Sequence, residues 1–372
     1  METGKKSILE NEGFLAILSA LLCIAAGLLV GYIVLLIINP AGGTEAIITI
    51  LKNYMTYPSK PAALKYLGST LVKTAPLLMC ALSIQFCYQA GLFNIGAAGQ
   101  YVAGAGAALY GALALGLPWY VCTLMAMAAG ALFGCIVGFL KAYCNVNEVI
   151  SGIMLNWIGL YLVNMLLSGV KEVASPYTIT INSTNPSALL PSLGLEALFS
   201  NNKYVTIAVP LSVLIAILLW ILLNKTVFGY EITATGLNKD AARYCGMREK
   251  KNLILTLIIG GMLAGLGAAF LYLSGYEQWQ TTASSVPVMG FNGIAATFLG
   301  GLNPIGTIFS SYFIQHITSG GSYLDKGVYP SQISDLISAI IIYLCSFVLF
   351  FKTFIRGRAA ARKERTREVK AS

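Results

Sequence analysis

Long apolar stretches alternate with short polar segments along almost the whole chain. The first covers residues 14–38 without a single charged residue. About 20 apolar residues suffice to span the ~30 Å hydrocarbon layer of a membrane. The pattern therefore predicts an all-α polytopic membrane protein with about ten transmembrane helices, at residues 14–38, 69–87, 98–115, 119–140, 149–167, 204–223, 253–273, 288–300, 305–317 and 333–351.

Two of these predicted helices are short, at 288–300 and 305–317, and a Gly-Gly-Leu-Asn-Pro turn joins them. Two readings stay open: a pair of full crossings, or half-helices that enter and leave on one side. The first helix is too long for the apolar core of a secretory signal, which predicts that it is retained. We expect a transmembrane domain at 1–351 and a basic tail at 352–372.

Composition supports a membrane protein and excludes an ordinary water-soluble domain. Hydrophobic residues make up 57% of the chain and charged residues only 10%, against ~25% charged residues in typical soluble domains. The eight cysteines lie in predicted spans or cytoplasmic loops, so no disulfide framework is expected. His316, the one histidine, is interpreted as a helix residue, and no metal site is predicted.

The distribution of basic residues predicts the orientation, because lysine and arginine in short loops stay on the cytoplasmic side. Seventeen of the 24 fall on the side that carries both termini, and six fall on the other. Both termini are therefore expected in the cytoplasm. The net charge of +9 follows from this topology, and nucleic-acid binding is not expected. The tail either rests near anionic lipid or is solvated.

Catalytic signatures are missing from the sequence, which has no Walker A loop, HExxH or GxSxG motif. Glycines at four-residue spacing, such as Gly130, Gly134 and Gly138 and the pair Gly261 and Gly265, are typical of closely packed membrane helices. The chain is thus predicted to be no enzyme, and transport across the membrane is the natural use of such a bundle.

The basic cytoplasmic segment 229–246 contains a predicted short amphipathic helix. Asn238 is placed to cap its N-terminus, Asp240 lies in its first turn, and Gly246 ends it. A short helix across the cytoplasmic face suits contact with a separate motor protein. An ordinary loop helix remains the alternative.

A second polar interruption covers residues 85–100, where glycines and amides break an apolar stretch. Polar backbone and side chains at this depth are tolerated where they are buried in protein or face a cavity. Glu148 and Asp335 lie near predicted helix ends, where a capping or interfacial role is favoured.

Three motifs in order carry a resemblance to a known family. They are Leu92-Phe93-Asn94-Ile95-Gly96 with Gly99-Gln100, Asn147-Glu148-Val149-Ile150-Ser151 with Met154-Leu155-Asn156, and Thr235-Gly236-Leu237-Asn238 with Ala241-Ala242-Arg243-Tyr244 and Gly246. From about residue 70 to 350 the chain resembles the permease subunits of bacterial nucleoside ABC importers, within the group of branched-chain amino acid and ribose permeases. The family commonly has an acidic residue where this chain has Ala97 or Ala98, so no role of that carboxylate carries over.

The resemblance implies a multi-pass protein of the bacterial cytoplasmic (inner) membrane that forms a heterodimer with a second permease. A cytoplasmic ABC ATPase, which holds ATP and Mg, and an extracellular lipid-anchored substrate-binding protein would complete the importer. This chain itself would need no cofactor. The ATPase-coupling residues implied by the third motif are Asn238, Ala241, Ala242, Arg243 and Gly246.

The resemblance also implies an inverted repeat of helices 2–5 and 7–10, with a faint echo between residues 93–98 and 291–296. A nucleoside needs aromatic faces and uncharged hydrogen-bonding partners. Candidate path residues are therefore Phe93, Asn94, Gln100, Asn156, Phe291 and Asn292. For each, helix packing or helix-end hydrogen bonding is the competing interpretation.

Alternating access driven by the partner ATPase is the expected mechanism, with the loop 168–203 either receiving the binding protein or acting as a solvated connector. The cargo could instead be a sugar or a branched-chain amino acid. A different class, a secondary transporter driven by an ion gradient, would need ionisable residues inside the membrane, and Lys73 is nearly alone there. A membrane-embedded enzyme or a purely structural assembly protein has less support.

Overall fold

A computed structural model of the protein describes residues 12–325, 327–329, 336, 339–340, 343–344, 347–348 and 350–358. The predicted tenth span lies partly outside these residues, as do Asp335 and the tail from residue 359 onward. The described part of the chain is helical and contains no β-strand, only the isolated bridges Lys171 to Thr178 and Tyr177 to Gln280.

Helices follow one another with short connections up to residue 321. In order they are α1 Glu12–Ile38, α2 Gly43–Lys52, α3 Lys60–Gln89, α4 Ala97–Leu113, α5 Trp119–Cys144, α6 Glu148–Leu167, α7 Ile181–Thr184, α8 Leu195–Leu198, α9 Ala208–Lys225, α10 Val227–Leu237, α11 Lys239–Tyr244, α12 Glu249–Tyr272, α13 Met289–Leu299 and α14 Pro304–Gly321. Short 3₁₀ turns lie at Asn53–Thr56, Ser168–Val170 and Pro186–Ala188.

The chain divides into two compact units. The larger comprises residues 54–297 and 303–315, and the smaller comprises the described residues among 1–53, 298–302 and 316–372. In the smaller unit, His316 accompanies α2: its Nε2 lies 2.8 Å from the carbonyl oxygen of Leu51, and Asn53 Nδ2 donates to the His316 carbonyl at 2.9 Å. His316 is therefore a helix residue that contacts α2, as predicted.

Within the described residues, six helices are long and apolar enough to cross a membrane: α1, α3, α5, α6, α9 and α12. They coincide with six predicted spans, so the chain is an all-helical, multi-pass membrane protein. Helix α13 has 11 residues, or about 16 Å at 1.5 Å per residue. That length is about half of the hydrocarbon layer, which supports the half-helix reading for α13. The count of ten and the inverted repeat stay predictions.

The predicted start of the second span needs a correction. Helix α3 begins at Lys60, nine residues earlier than the sequence pattern suggested, and α2 occupies much of what was expected to be a loop at 39–68. Ser59 caps α3 by accepting a hydrogen bond from the Ala62 N–H at 3.4 Å. The hydropathy pattern did not predict this extension because lysines lower the hydropathy of a segment. They do not prevent the helix from continuing.

Large and small side chains are distributed on α5 in the opposite way to a soluble helix. Its buried side carries small residues, including Ala126, Gly130 and Gly134, whereas Leu124 and Leu132 are 62% and 61% exposed on the other side. In lipid the exposed leucines lose nothing, and small residues let helix backbones approach each other. The outer side of α5 is therefore suited to lipid.

The centre of the larger unit forms where α12 packs against α3, α4 and α5. A Cβ on Gly130 would overlap the Gly261 carbonyl, one on Gly134 would overlap the Leu257 carbonyl, and one on Gly104 would overlap Gly265. Glycine is required at these crossings because backbone touches backbone. The interpretation of the spaced glycines as helix-packing residues is therefore confirmed.

We expect Gly130→Val to destabilise the purified protein in detergent, because its side chain must push α5 away from α12. Overpacking of this kind typically costs about 1–3 kcal/mol. The matched control is Gly169→Ala, since nothing lies within 4 Å of a Cβ at Gly169. Thermal unfolding would show a lower Tm for Gly130→Val alone; equal midpoints for both variants would contradict the packing account.

Candidate functional site

The polar residues of the first motif form a buried hydrogen-bonded cluster at the start of α4. Asn94 and Gln100 are 3% and 1% exposed. Their amides pair reciprocally, with Asn94 Nδ2 donating to Gln100 Oε1 at 2.9 Å and Gln100 Nε2 donating to Asn94 Oδ1 at 3.2 Å. Asn94 Nδ2 also donates to Ser83 Oγ of α3 at 3.1 Å. This amide pair therefore joins the turn before α4 to α3.

Asn156 joins the same turn to α6. Its side-chain oxygen accepts from the Gly99 N–H at 2.7 Å, and its amide donates to the Ile95 carbonyl at 3.1 Å. The first N–H groups of a helix have no partner within the helix, and Asn156 supplies one. Helix-end bonding, the competing interpretation, thus describes the contacts of Asn94, Gln100 and Asn156 in this conformation.

The other predicted path residues are more accessible. Phe291 is 38% exposed on α13, and Phe93 and Asn292 are half-buried. Gly290, next to Phe291, packs so closely against Ala98 that a Cβ would not fit. Ala98, in the first echoing segment, therefore packs against Gly290, the residue just before the second.

Among the buried side-chain polar atoms that lack hydrogen-bond partners within the described residues, two lie on α3 and α4, at residues that the sequence did not single out as path residues. One is Nε2 of Gln85 on α3, whose Oε1 accepts from Thr307 Oγ1 of α14 at 3.0 Å. The other is the hydroxyl of Tyr101 on α4, which lies beside Tyr272 but makes no hydrogen bond of ordinary length and angle. Buried polar atoms are nearly always paired in native proteins, so both atoms mark places where a ligand or water would be accommodated.

Lys73 finds its partner outside α3, in the connection between α12 and α13. Its Nζ lies 3.1 Å from Glu277 Oε1 and 5.2 Å from the centre of the Tyr276 ring. The two charged side chains are 32% and 40% exposed, and pairs this accessible contribute at most about 1 kcal/mol to stability. A gain in stability is therefore a weak explanation for the presence of Lys73 inside a predicted span. Ionisable residues inside membranes commonly mark substrate pathways.

Segment 229–246 has the predicted local structure. Asn238 caps α11 by accepting from the N–H groups of Asp240 and Ala241 at 3.0 Å each. Gly246, just beyond the helix, has a φ of +82°, which favours glycine. One expected detail needs correction: Ala242 is only 3% exposed, so its methyl group packs inside this chain and is not presented to a partner in this conformation.

The accessible side of this segment carries residues that the sequence analysis quoted but did not select. Asn238, Ala241, Arg243 and Gly246 are exposed, and beside them Leu237 and Tyr244 are 84% and 94% exposed. A nearly bare leucine and tyrosine outside the apolar spans form an apolar patch of the kind that marks an interaction surface. The sequence could have indicated both residues as part of the interaction surface, because Leu237 directly precedes the capping residue Asn238 and Tyr244 is the last residue of α11.

Backbone contact links this segment to the first motif. A Cβ on Gly236 of α10 would overlap the Gln89 carbonyl, and the Gly236 carbonyl oxygen lies 3.0 Å from where a Cβ on Gly91 would stand. Gly91 has a φ of +71°, a conformation that L residues rarely adopt. A displacement of α10 therefore acts directly on the turn that holds Asn94.

The loops of the larger unit fall into two groups according to their contacts, and we call these groups the first face and the second face. On the first face, Lys141 pairs with Glu148 at 2.7 Å and residues 89–91 meet Gly236. On the second face, Thr178 N donates to the Trp279 carbonyl at 2.9 Å, and Asn202 donates to the Lys65 carbonyl at 2.7 Å. The sorting agrees with the loops that the basic-residue distribution assigned to opposite sides of the membrane. Glu148 has the helix-end position that was favoured for it.

Among the described residues no group of three or more histidine, cysteine or acidic side chains is placed to bind a metal ion. What the geometry offers is a helical bundle with buried polar side chains inside it and, on one face, a short helix with exposed apolar residues at its ends.

Comparison with known proteins identifies the family. Residues 66–346 match the model of the branched-chain amino acid transport system permease component. The chain belongs to this permease family.

Three relatives of this permease chain show how far the likeness extends. The guanosine ABC transporter permease protein of Bacillus subtilis is 33% identical, over 74% of this chain and 80% of its own length. The nucleoside ABC transporter permease protein of Lactococcus lactis is 29% identical, over 95% and 97%. The glucose ABC transporter permease protein of Haloferax volcanii is 29% identical, over 80% of each.

We expect Asn156→Ala to destabilise this permease without any substrate present. The change leaves the Gly99 N–H and the Ile95 carbonyl buried without their partner, which costs about 2–4 kcal/mol in all. The control Asn224→Ala removes an exposed amide and should stay within about 0.5 kcal/mol. If thermal unfolding gave both variants the wild-type Tm, Asn156 would have no role in holding the turn.

Proposed function

We propose that this chain is the permease subunit of an ABC importer and forms the translocation path for nucleosides. The observation that carries the proposal is the match to the Lactococcus lactis nucleoside permease over nearly the full length of both chains. The guanosine permease relative points to the same cargo class. The chain supplies the path, and ATP hydrolysis, with its Mg, takes place in a partner.

The proposed assembly contains a second permease subunit, a cytoplasmic ABC ATPase and an extracellular lipid-anchored substrate-binding protein. It resides in the bacterial cytoplasmic membrane with both termini of this chain in the cytoplasm. The excess of basic residues on one side supports that orientation, and the first face, with segment 229–246, then faces the ATPase.

Coupling in this proposal begins at the exposed tip of α11. The ATPase binds the surface formed by Leu237, Asn238, Ala241, Arg243 and Tyr244. When the ATPase closes, it moves α10. Because Gly236 touches the backbone at Gln89 and Gly91, the movement reaches the turn that Asn94, Gln100 and Asn156 hold. Rearrangement of that turn, between the starts of α4 and α13, opens and closes the path beside Phe93, Phe291 and Asn292.

A sugar is the second candidate cargo, because the glucose permease of Haloferax volcanii covers four-fifths of the chain. The two cargoes share hydroxyl groups and differ in the base. Competition between a nucleoside and a free sugar therefore separates them.

Transport measurements test the cargo and the energy source together. Proteoliposomes containing the whole complex should take up radiolabelled guanosine and uridine only with ATP on the side of the ATPase, and excess glucose, ribose or leucine should not compete. Uptake driven by an ion gradient without ATP would instead identify a secondary transporter, and preferential glucose uptake would favour the sugar permease.

We expect Tyr244→Asp to detach the ATPase while leaving the permease folded, since the side chain is 94% exposed. Co-purification of the ATPase should fall at least about tenfold, a loss of the size seen when an interface anchor is removed. Val173→Asp is the control, because Val173 is fully exposed within the loop 168–203 on the second face. Equal ATPase recovery with both variants would remove Tyr244 from the proposed interface.

A further inference from the structure

We propose that Lys73, Glu277 and Tyr101 form a subsite for the ribose hydroxyls of a nucleoside on the second face of the path. The inference deepens the proposed function and rests on it. Three observations support it: Lys73, inside a predicted span, pairs with Glu277 of the α12–α13 connection; an aromatic cluster lies next to that connection; and the buried Tyr101 hydroxyl has no hydrogen-bond partner within the described residues.

The charged pair lies just below the loops of the second face. Asn202 donates to the Lys65 carbonyl and to Ser69 Oγ, which fixes the level of these loops along α3. Lys73 is one helical turn beyond Ser69, or about 6 Å deeper. The side chains of the pair are 32% and 40% exposed, so a ligand at this face can contact them.

The pair has unused hydrogen-bonding capacity. Only Oε1 of Glu277 contacts Lys73 Nζ, and the second carboxylate oxygen makes no hydrogen bond within the described part of the chain. An ammonium group has three donors. Both groups can therefore bind a ligand without first being freed from a buried network.

Trp279, two residues after Glu277, belongs to an aromatic cluster that extends through Tyr272 to Tyr101, whose ring centroid lies 6.3 Å from that of Tyr272. Tyr101 is 1% exposed, and its hydroxyl is unpaired. Tyr272 continues the cluster to Trp279, with ring centroids 5.8 Å apart. The hydroxyl of Tyr101 and the apolar ring faces of Tyr272 and Trp279 thus belong to one cluster, next in sequence to Glu277.

Hydroxyl groups fit this arrangement better than the edge of a base does. A carboxylate oxygen and an ammonium nitrogen only 3.1 Å apart reach the same ligand atom. A hydroxyl oxygen donates to one and accepts from the other, whereas a base atom on its pairing edge either donates or accepts. Two neighbouring hydroxyls, as on ribose, use both carboxylate oxygens, and carboxylates bind ribose hydroxyls in dinucleotide sites. The phenol of Tyr101 supplies a further partner.

The first experiment compares guanosine with 2′-deoxyguanosine. In proteoliposomes of the complete complex with one and the same binding protein, we measure the ratio of their uptake efficiencies. Wild type should favour guanosine by roughly tenfold, the loss expected when a hydrogen bond to a charged group is missing. Glu277→Gln should bring the ratio close to one. Glu196→Gln, on the same face, is the matched control and should keep the wild-type ratio.

The second experiment uses Tyr101→Phe, which removes only the unpaired hydroxyl. A structural role predicts no loss of function, because no hydrogen bond is broken and the Tm should stay unchanged. The subsite predicts instead that guanosine uptake falls severalfold at that unchanged Tm, while uptake of 2′-deoxyguanosine changes less.

The outcomes separate this inference from the proposed function. Wild-type complex that fails to take up nucleosides with ATP contradicts the proposed function. Wild-type complex that takes them up, with the same guanosine preference in Glu277→Gln and normal uptake in Tyr101→Phe, contradicts the subsite alone and makes the pair an interfacial anchor.

Discussion

Backbone contact between α5 and α12 is the constraint on which the larger unit depends. In lipid, burying apolar side chains gives helices little reason to associate, so close packing and hydrogen bonds must hold them together. Gly130 and Gly134 bring the α5 backbone against Gly261 and Leu257 of α12, while Gly104 brings α4 against the same helix. This compact centre leaves large apolar residues on the lipid side. It also leaves the few polar residues inside, where each needs a partner.

Those internal partners explain why the first motif is rich in amides. The turn before α4 packs between helices, and its buried backbone groups need hydrogen-bond partners within the protein because they are shielded from water. Asn156 satisfies two of these groups, and the pair of Asn94 and Gln100 ties the turn to Ser83. The same turn touches Gly236 of segment 229–246. The residues that stabilise the turn are thus placed to respond when α10 moves.

Local features were predictable from the sequence where the cause is local. Asn238 and Gly246 delimit α11 because capping and left-handed conformations are properties of single residues and their neighbours. The start of α3 was predicted too late because hydropathy identifies only the membrane-spanning part of a helix, and this helix begins before that part. The side chain of Ala242 was misassigned because which side of a short helix faces its own chain depends on packing against distant residues.

The sequence by itself determined a multi-pass helical membrane protein and its family motifs, since apolar length and motif order are read along the chain. Only the tertiary structure decided which polar residues pair with one another and which remain unpaired. Lys73 and Glu277 are about 200 positions apart in sequence, and the Tyr101 hydroxyl is identifiable as unpaired only once its surroundings are known. Hydrogen bonds and ion pairs act over a few ångströms, so their partners follow from the folded chain and not from sequence spacing.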